Sequence, residues 1–505
     1  MLCRMTKSGA SVGSMKIKLA VVFSVVVLLI TEGCGGASSA TDGFSGPSVD
    51  VFRPTWTPTH AYYVDANLGS DSNDASSPSK AWKTLFMIHS VVLVPGEVVY
   101  LARGSVWTNQ QILLDNNSAG SAQKPVVFEA YGDAAKAPPT IDTPYALWST
   151  LGNPVPYDAV DIGGGSSYIT MLDLLIKNVS GTFTAFSIDE TSDHIVIAGN
   201  EVDNADSGVV LAGQHQKILS NYFHDIGKGG GNSGIGIGFV GQDLEMGWNR
   251  FERCRLWKQD QDLPLGGYDG GAFEFYGLEP KAGVYDVSNN ISIHHNRIDS
   301  SVDFMESYGA VTNMLIAYNV YTNSENEALE FHFDVGYSWG DQNNHPLYYD
   351  VRIENNTFMP LLTAAVMPPD PSDNFGGWEI IGLLTDPVPA NNQDDSKSHI
   401  SFRNNIFVSN YKIITQDGMA NLVHDHNIYY FPSSGYFDTD GNTDMSASEK
   451  VANPLFVNAS PASLNLQLQS TSPARGVGVN LGYAQDVLQK PVPTSGAPDI
   501  GAYQF

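Results

Sequence analysis

Three short segments set a glutamate among apolar residues and follow it, two positions on, with a tyrosine or a histidine: AFEFYG with Glu274 and Tyr276, FMESYG with Glu306 and Tyr308, and ALEFHF with Glu330 and His332. Residues two apart on a β-strand share a face, so each glutamate shares one with its ring, while Phe273, Phe275, Met305, Leu329 and Phe331 take the other. If the three strands neighbour one another in a parallel sheet, adjacent carboxylates stand about 5 Å apart and the outer pair about 10 Å. Like charges that close oppose one another, and a carboxyl flanked by two others holds its proton more tightly. Hydrolysis of a glycosidic bond needs one protonated and one ionised carboxyl group. Neighbouring rungs match the ~5 Å separation of retaining enzymes, and the outer pair approaches the ~6.5–9.5 Å of inverting ones. Glu306, being central, is the candidate acid, with Glu274 or Glu330 as nucleophile or base.

Such a row exists only if something fixes the register of distant strands. A pattern of alternating apolar residues, an Asn and a further apolar residue recurs with the Asn at positions 200, 221, 249, 296, 319, 356, 405 and 427. The spacings of 21, 28, 47, 23, 37, 49 and 22 have a floor near 22 with irregular additions, the signature of a fixed coil carrying insertions. About 22 residues suffice for three short strands and three bends, one circuit of a parallel β-solenoid. At a bend Asn tolerates left-handed backbone, and its amide can hydrogen-bond to the Asn of the coils above and below. Counting from each Asn to the equivalent strand gives Val210 before the glutamates and Val366 and Thr415 after them, so the acidic triplet is local.

Insertions flank the row. The segments from Arg250 to Gly270 and from Asp334 to Tyr349 are expected to wall a cleft, with Trp257, Tyr268, Tyr337 and Trp339 offering ring faces to a sugar. A third, Pro368 to Ser398, is expected to form a lid. Other readings of the triplet are a solvated acidic stripe and a Ca²⁺ site helped by Asp269, Asp303 or Asp334. His224, His294 and His295 read as corner or core residues, with no second His at metal spacing. No cofactor is expected, Ca²⁺ being the one candidate.

The flanks agree with a solenoid. AWKTLFMIHSVV, residues 81–92, reads as an amphipathic helix stopped by Pro95-Gly96, a plug for the open end of the stack. The segments YYVDANLGSDSNDASSPSKAWKTL and PGEVVYLARGSVW, with the C-terminal NPLFVNASPASLNLQLQSTSPARGVG and GAPDIGAYQF, resemble the ends of secreted bacterial right-handed parallel β-helix proteins of the pectate-lyase-like superfamily. The resemblance covers nearly all of residues 61–505 and implies an all-β, right-handed parallel β-helix with an N-terminal capping helix and loop insertions. It divides the domain into first coils (61–165), central coils with the site (166–430) and a C-terminal cap (431–505). It is specific for fold and weak for reaction, because the superfamily includes hydrolases, lyases, epimerases and non-catalytic adhesins. A lyase or uronate epimerase with a Ca²⁺-assisted site, and a glycan-binding solenoid without catalysis, are the alternatives to hydrolysis.

The N-terminus reads as an address. Lys16 and Lys18 precede an apolar run from Leu19 to Ile30, too short to cross a bilayer, which needs about 20 residues. The run leads to Cys34, which resembles the lipidated cysteine of a bacterial lipoprotein, although Glu32 departs from that pattern. Residues 1–33 are then a signal peptide and 34–60 a Pro-punctuated tether, and the product is exported, anchored by lipid or released. With 54 acidic against 26 basic residues the formal charge is −28, which repels nucleic acid and anionic lipid. The expected partner is a polysaccharide or oligosaccharide, with membrane contact only through the anchor, and the chain is expected to act as a monomer.

Overall fold

A computed structural model describes residues 43–143, 158–228, 234–255, 270–275, 288–307, 311–324, 328–332, 348–360, 379–384, 399–410, 412–416, 422–432 and 445–505. The chain winds as a parallel β-helix, each coil touching three faces. On the first face, twelve strands from Ala61–Val64 to Leu422–Asp425 form one sheet, each paired in parallel with the strand one coil away. The second face carries three-residue strands, among them Tyr222–His224, Arg250–Glu252 and Arg297–Asp299. The third carries Ile235–Phe239, Gly271–Phe275, Asp303–Ser307, Leu329–His332 and Glu379–Leu384. Leu175–Ile188 and Glu201–Leu211 run through the corner between these two faces as single strands.

Period-2 alternation fills the interior. On the first face Ile197, Ile218, Met246, Ile293, Ile316 and Ile353 are successive register partners, all fully buried. On the second face an inward column includes Phe358, Phe407 and Tyr429, whose rings stack 5.3 and 5.5 Å apart. Identical side chains one rung apart suit a coil whose rise is the strand spacing.

The recurring asparagines form a continuous column at the corner between the first and second faces. From Asn200 to Asn405, each Oδ1 of the next Asn accepts from both the backbone N–H and the Nδ2 of the one before, the latter at 3.0–3.1 Å. Each Nδ2 also donates to a carbonyl of the preceding coil, as Asn319 does to Ile293 at 2.9 Å. All eight are buried. The column ends on Glu449, which accepts from Asn427 at 2.8 Å and Tyr429 at 2.7 Å and pairs with His424 at 2.7 Å. Burial works against the charge of Glu449, but these hydrogen bonds outweigh it and hold the carboxyl below its usual range.

The left-handed residue at this corner is not the ladder Asn, as expected, but the residue before it: Gly199, Ser220, Trp248, His295, Tyr318, Asn355, Asn404 and His426 all have φ between 54° and 65°. The Asn is required for its amide, which must lie inward along the column, and the turn is made one position earlier by whatever residue the corner packs. Trp248, His295 and Tyr318 stack there at 4.2 and 5.2 Å.

The N-terminal end departs further from expectation. The capping helix is a single turn, Phe86–His89. Trp82 is extended, its N–H bonded to Tyr63 at 2.9 Å, Asp71 accepts from the N–H groups of Lys83 and Thr84, and the helical turn begins only after Leu85. Leu85, Ile88 and Leu93 still bury in the core. Residues 43–60 are packed against the coil instead of forming a free tether. Ser48 caps a 3-10 turn over Val49–Phe52, and Arg53 donates to Glu129 at 2.8 Å and Asp173 at 2.5 Å. The C-terminal segment folds back along the side of the coil: Gly501 N–H bonds Asn404, Ala502 N–H bonds Thr357, and Gln489 reaches Ser45 at 2.9 Å. Its apolar residues, Leu466, Val487 and Ile500 among them, cover Val320, Ile406 and Ile428 of the second face. Residues 1–42, Cys34 included, lie outside the described residues.

If the amide column carries the register, deleting one member leaves buried donors stranded. Asn319→Ala orphans the N–H and one of the two Nδ2 protons of Asn296 and is expected to destabilise by about 2–4 kcal/mol. Urea unfolding checks this, and a loss under about 0.5 kcal/mol, the scale of an ordinary surface change, would remove the column's structural role.

Candidate functional site

The third face presents one outward column along almost the whole coil. In successive register it reads Leu113, Asp161, Ser187, Val210, Gly238, Glu274, Glu306, Glu330, Gly382 and Thr415. The three glutamates are therefore Cα partners on adjacent rungs, about 5 Å from neighbour to neighbour. Each is half-buried, whereas Phe273, Phe275, Met305, Leu329 and Phe331 beside them are fully buried. That alternation aims the carboxylates away from the core. Ser307 takes the core-side position after Glu306, where it meets the hydroxyl of buried Tyr348.

Glycines bound the acidic triplet on both sides, Gly238 one rung before and Gly382 one rung after. The row thus ends at positions without side chains. Gly382 corrects the expected Val366, which lies outside the described residues. The difference arises because the segment expected as a lid, 368–398, contains a strand of its own, Glu379–Leu384, paired with Leu329–His332. The signal was present in EIIGLL, an apolar run with a glycine in the register of the glutamates.

Among the other expected site residues, the backbone of His332 ends its strand opposite Leu384. Tyr276, Tyr308, Trp257, Tyr268, Tyr337 and Trp339 lie outside the described residues, as do Asp269 and Asp334. Asp303 begins the strand that carries Glu306, pairs in register with Gly271 and is buried.

Sequence reasoning did not find a second polar cluster where the second face turns toward the third. His224 Nδ1 lies 3.0 Å from Asp225 and its Nε2 3.2 Å from Glu201, with Asp203 at 3.6 Å. Arg253 completes the pairing of Asp225 at 2.8 Å, and Tyr222 donates to Glu252 at 2.7 Å. Alternate residues after each ladder Asn, such as Glu201 with Asp203 and Tyr222 with His224, would have revealed it. Burial alone would lower the His224 pKa, but hydrogen bonds to Asp225 and Glu201 prevail and raise it to about 9. The ligand atoms of Asp203, His224 and Asp225 fall within 4.8 Å of one another. The contacts form an ion-pair network, with His224 set among three carboxylates.

At the N-terminal end of the outward column, burial pushes the Asp161 carboxyl up, and Asp158, Asp189 and Asp115 push it further. On the opposite flank of the coil, burial and the adjacent His294 hold His295 down to about 3, so it stays neutral in its aromatic stack.

No protein-family model matches the chain. A stretch of 134 residues, 26% of this chain, is 33% identical to part of a lacto-N-biosidase of Bifidobacterium longum, spanning 8% of that protein's length. Among solved structures, a GH136 lacto-N-biosidase from Eubacterium ramulus is 15% identical with a TM-score of 0.49, covering 77% of this chain and 67% of its own. The pectate lyase Pel9A is 14% identical with a TM-score of 0.46, covering 89% of this chain and 97% of its own.

The His224 network gives a signed pH dependence. Its folded pKa of about 9 exceeds the ordinary 6.5, so its contribution to stability is complete below pH 6.5 and is lost as pH rises toward 9. Urea midpoints followed across that window should fall in the wild type and fall less in His224→Gln; identical slopes would sink the assignment.

Proposed function

We propose that the chain is a glycan-acting enzyme, a glycoside hydrolase whose chemistry resides in Glu274, Glu306 and Glu330. The carrying observation is their placement in one outward row on adjacent rungs. The sequence likeness to a lacto-N-biosidase over a quarter of the chain supports a carbohydrate substrate.

A row of three carboxyl groups favours retention of a proton on the middle one, because ionising it sets a negative charge beside two others. Glu306 then donates that proton to the glycosidic oxygen as the bond from the anomeric carbon breaks. Glu274 or Glu330, one rung away, attacks the same carbon from the opposite side and forms a glycosyl ester. Glu306, now ionised, takes a proton from water, which attacks the anomeric carbon, breaks its bond to the carboxylate oxygen and restores the starting carboxylate. The rung spacing of about 5 Å suits this double displacement, which retains the anomeric configuration. The reaction requires no cofactor. Proposed export and lipid attachment at Cys34 would place the enzyme where polymeric glycans are met.

The test is a screen of neutral and acidic polysaccharides for new reducing ends, with ultraviolet absorbance monitored for unsaturated products. Wild type should release reducing ends without that absorbance, and EDTA should leave the rate unchanged. Glu306→Gln should lower turnover by about 10²–10⁴-fold, the usual weight of a general acid. Absorbance in place of hydrolysis would mean elimination, and full activity in the Glu306 variant would end the proposed role.

A further inference from the structure

A trough of about 340 Å³ lies between the N-terminal segment and the first face, away from the glutamate row on the third. Its volume falls in the range of small-molecule sites. Thr170, Val196 and Lys217, register partners on three successive coils, make the floor, so the trough runs about 10 Å along the axis. One wall is a corner column of Tyr168, His194 and His215, whose rings stack 4.2 and 4.3 Å apart. Phe52, Arg53 and Trp56 form the other, with the indole N–H of Trp56 tied to Gly96.

The charges around the trough are already matched within the protein. Arg53 bonds Asp50, Glu129 and Asp173, and Lys217 bonds Glu245 at 2.6 Å. His215 Nδ1 hydrogen-bonds Asp193 at 2.8 Å, while His194 Nδ1 lies equally close to that carboxylate without hydrogen-bond geometry. An anionic ligand would have to break one of these pairs, and a cationic one finds no carboxylate among the lining residues. A metal is equally disfavoured. Asp193, His194 and His215 bring ligand atoms within 4.8 Å, but the imidazoles lie face to face at 21°, and a metal must sit in the plane of each ring that binds it. What the trough offers is apolar surface from Phe52, Trp56 and Val196 with polar edges from Gln123, Thr170 and the imidazoles. Those are the features that recognise an uncharged, hydroxyl-rich ring.

We propose that this trough binds a short segment of a neutral glycan without cleaving it. It is separate from the site of hydrolysis, on a different face, and would retain a chain while the glutamates act elsewhere on it.

The test uses the full chain carrying Glu306→Gln, so that binding is read without turnover and its outcome is independent of the hydrolytic proposal. Cellotriose, xylotriose and galactotriose, with trigalacturonate as the anionic contrast, are titrated by calorimetry and saturation-transfer NMR. At least one neutral trisaccharide should bind with a Kd on the order of 1 mM, and Trp56→Ala should weaken it about tenfold. Val196→Trp fills the trough from the floor without removing a contact of Arg53, and it should weaken binding as much. If Trp56→Ala loosens the segment, the Val196 variant still decides. No binding of any neutral trisaccharide, equal binding in both variants, or binding of trigalacturonate alone would overturn the proposal.

Discussion

The structure depends on one column of side-chain amides. A parallel coil has no hairpins to set its register, and a slip of one residue would turn every outward side chain inward. From Asn200 to Asn427 each amide bonds the backbone and the side chain of its neighbour, so a slipped coil would strand buried donors and acceptors at every level. Insertions of very different length therefore leave the rungs aligned, and glutamates from three remote segments meet as neighbours.

That alignment has an electrostatic consequence. Carboxyl groups on adjacent rungs oppose one another's ionisation, and the residues between them are locked into an aromatic and aliphatic core. Phe251 packs on Phe273, and Phe273 on Phe304, at 4.9 and 5.5 Å. The surrounding surfaces are treated differently: the C-terminal segment covers the apolar part of the second face, the N-terminal segment straps the first, and the outward column of the third keeps its carboxylates and its two bounding glycines. The acids around His224 and Arg53 are matched by internal pairs.

Much of this was legible in the chain. The Asn spacing gave the coil, and counting from each Asn placed Glu274, Glu306 and Glu330 in register, since both signals are periodic and local. The readings that failed depended on contacts between distant segments. Residues 81–92 have a helical pattern, but Asp71 and Tyr63 engage their backbone first. Residues 43–60 have a linker's composition, yet Arg53 meets Glu129 and Asp173 only after the coil assembles. Val366 replaced Gly382 in the count because the strand Glu379–Leu384 lay inside what read as one insertion. The left-handed position was misplaced by one because Asn is the residue most associated with that conformation, and here the amide's bonding outranks its backbone tolerance.

The account stands on a single register for residues 274, 306 and 330, and paired cysteines read it directly. Oxidation of Glu274→Cys/Glu306→Cys and of Glu306→Cys/Glu330→Cys should form a disulfide in each, because Cα atoms one rung apart lie about 5 Å from each other, within bonding range. Glu274→Cys/Glu330→Cys, two rungs apart at about 10 Å, should form none. Ready closure of the outer pair, or failure of both neighbouring pairs in folded protein, would contradict the shared row and the chemistry built on it.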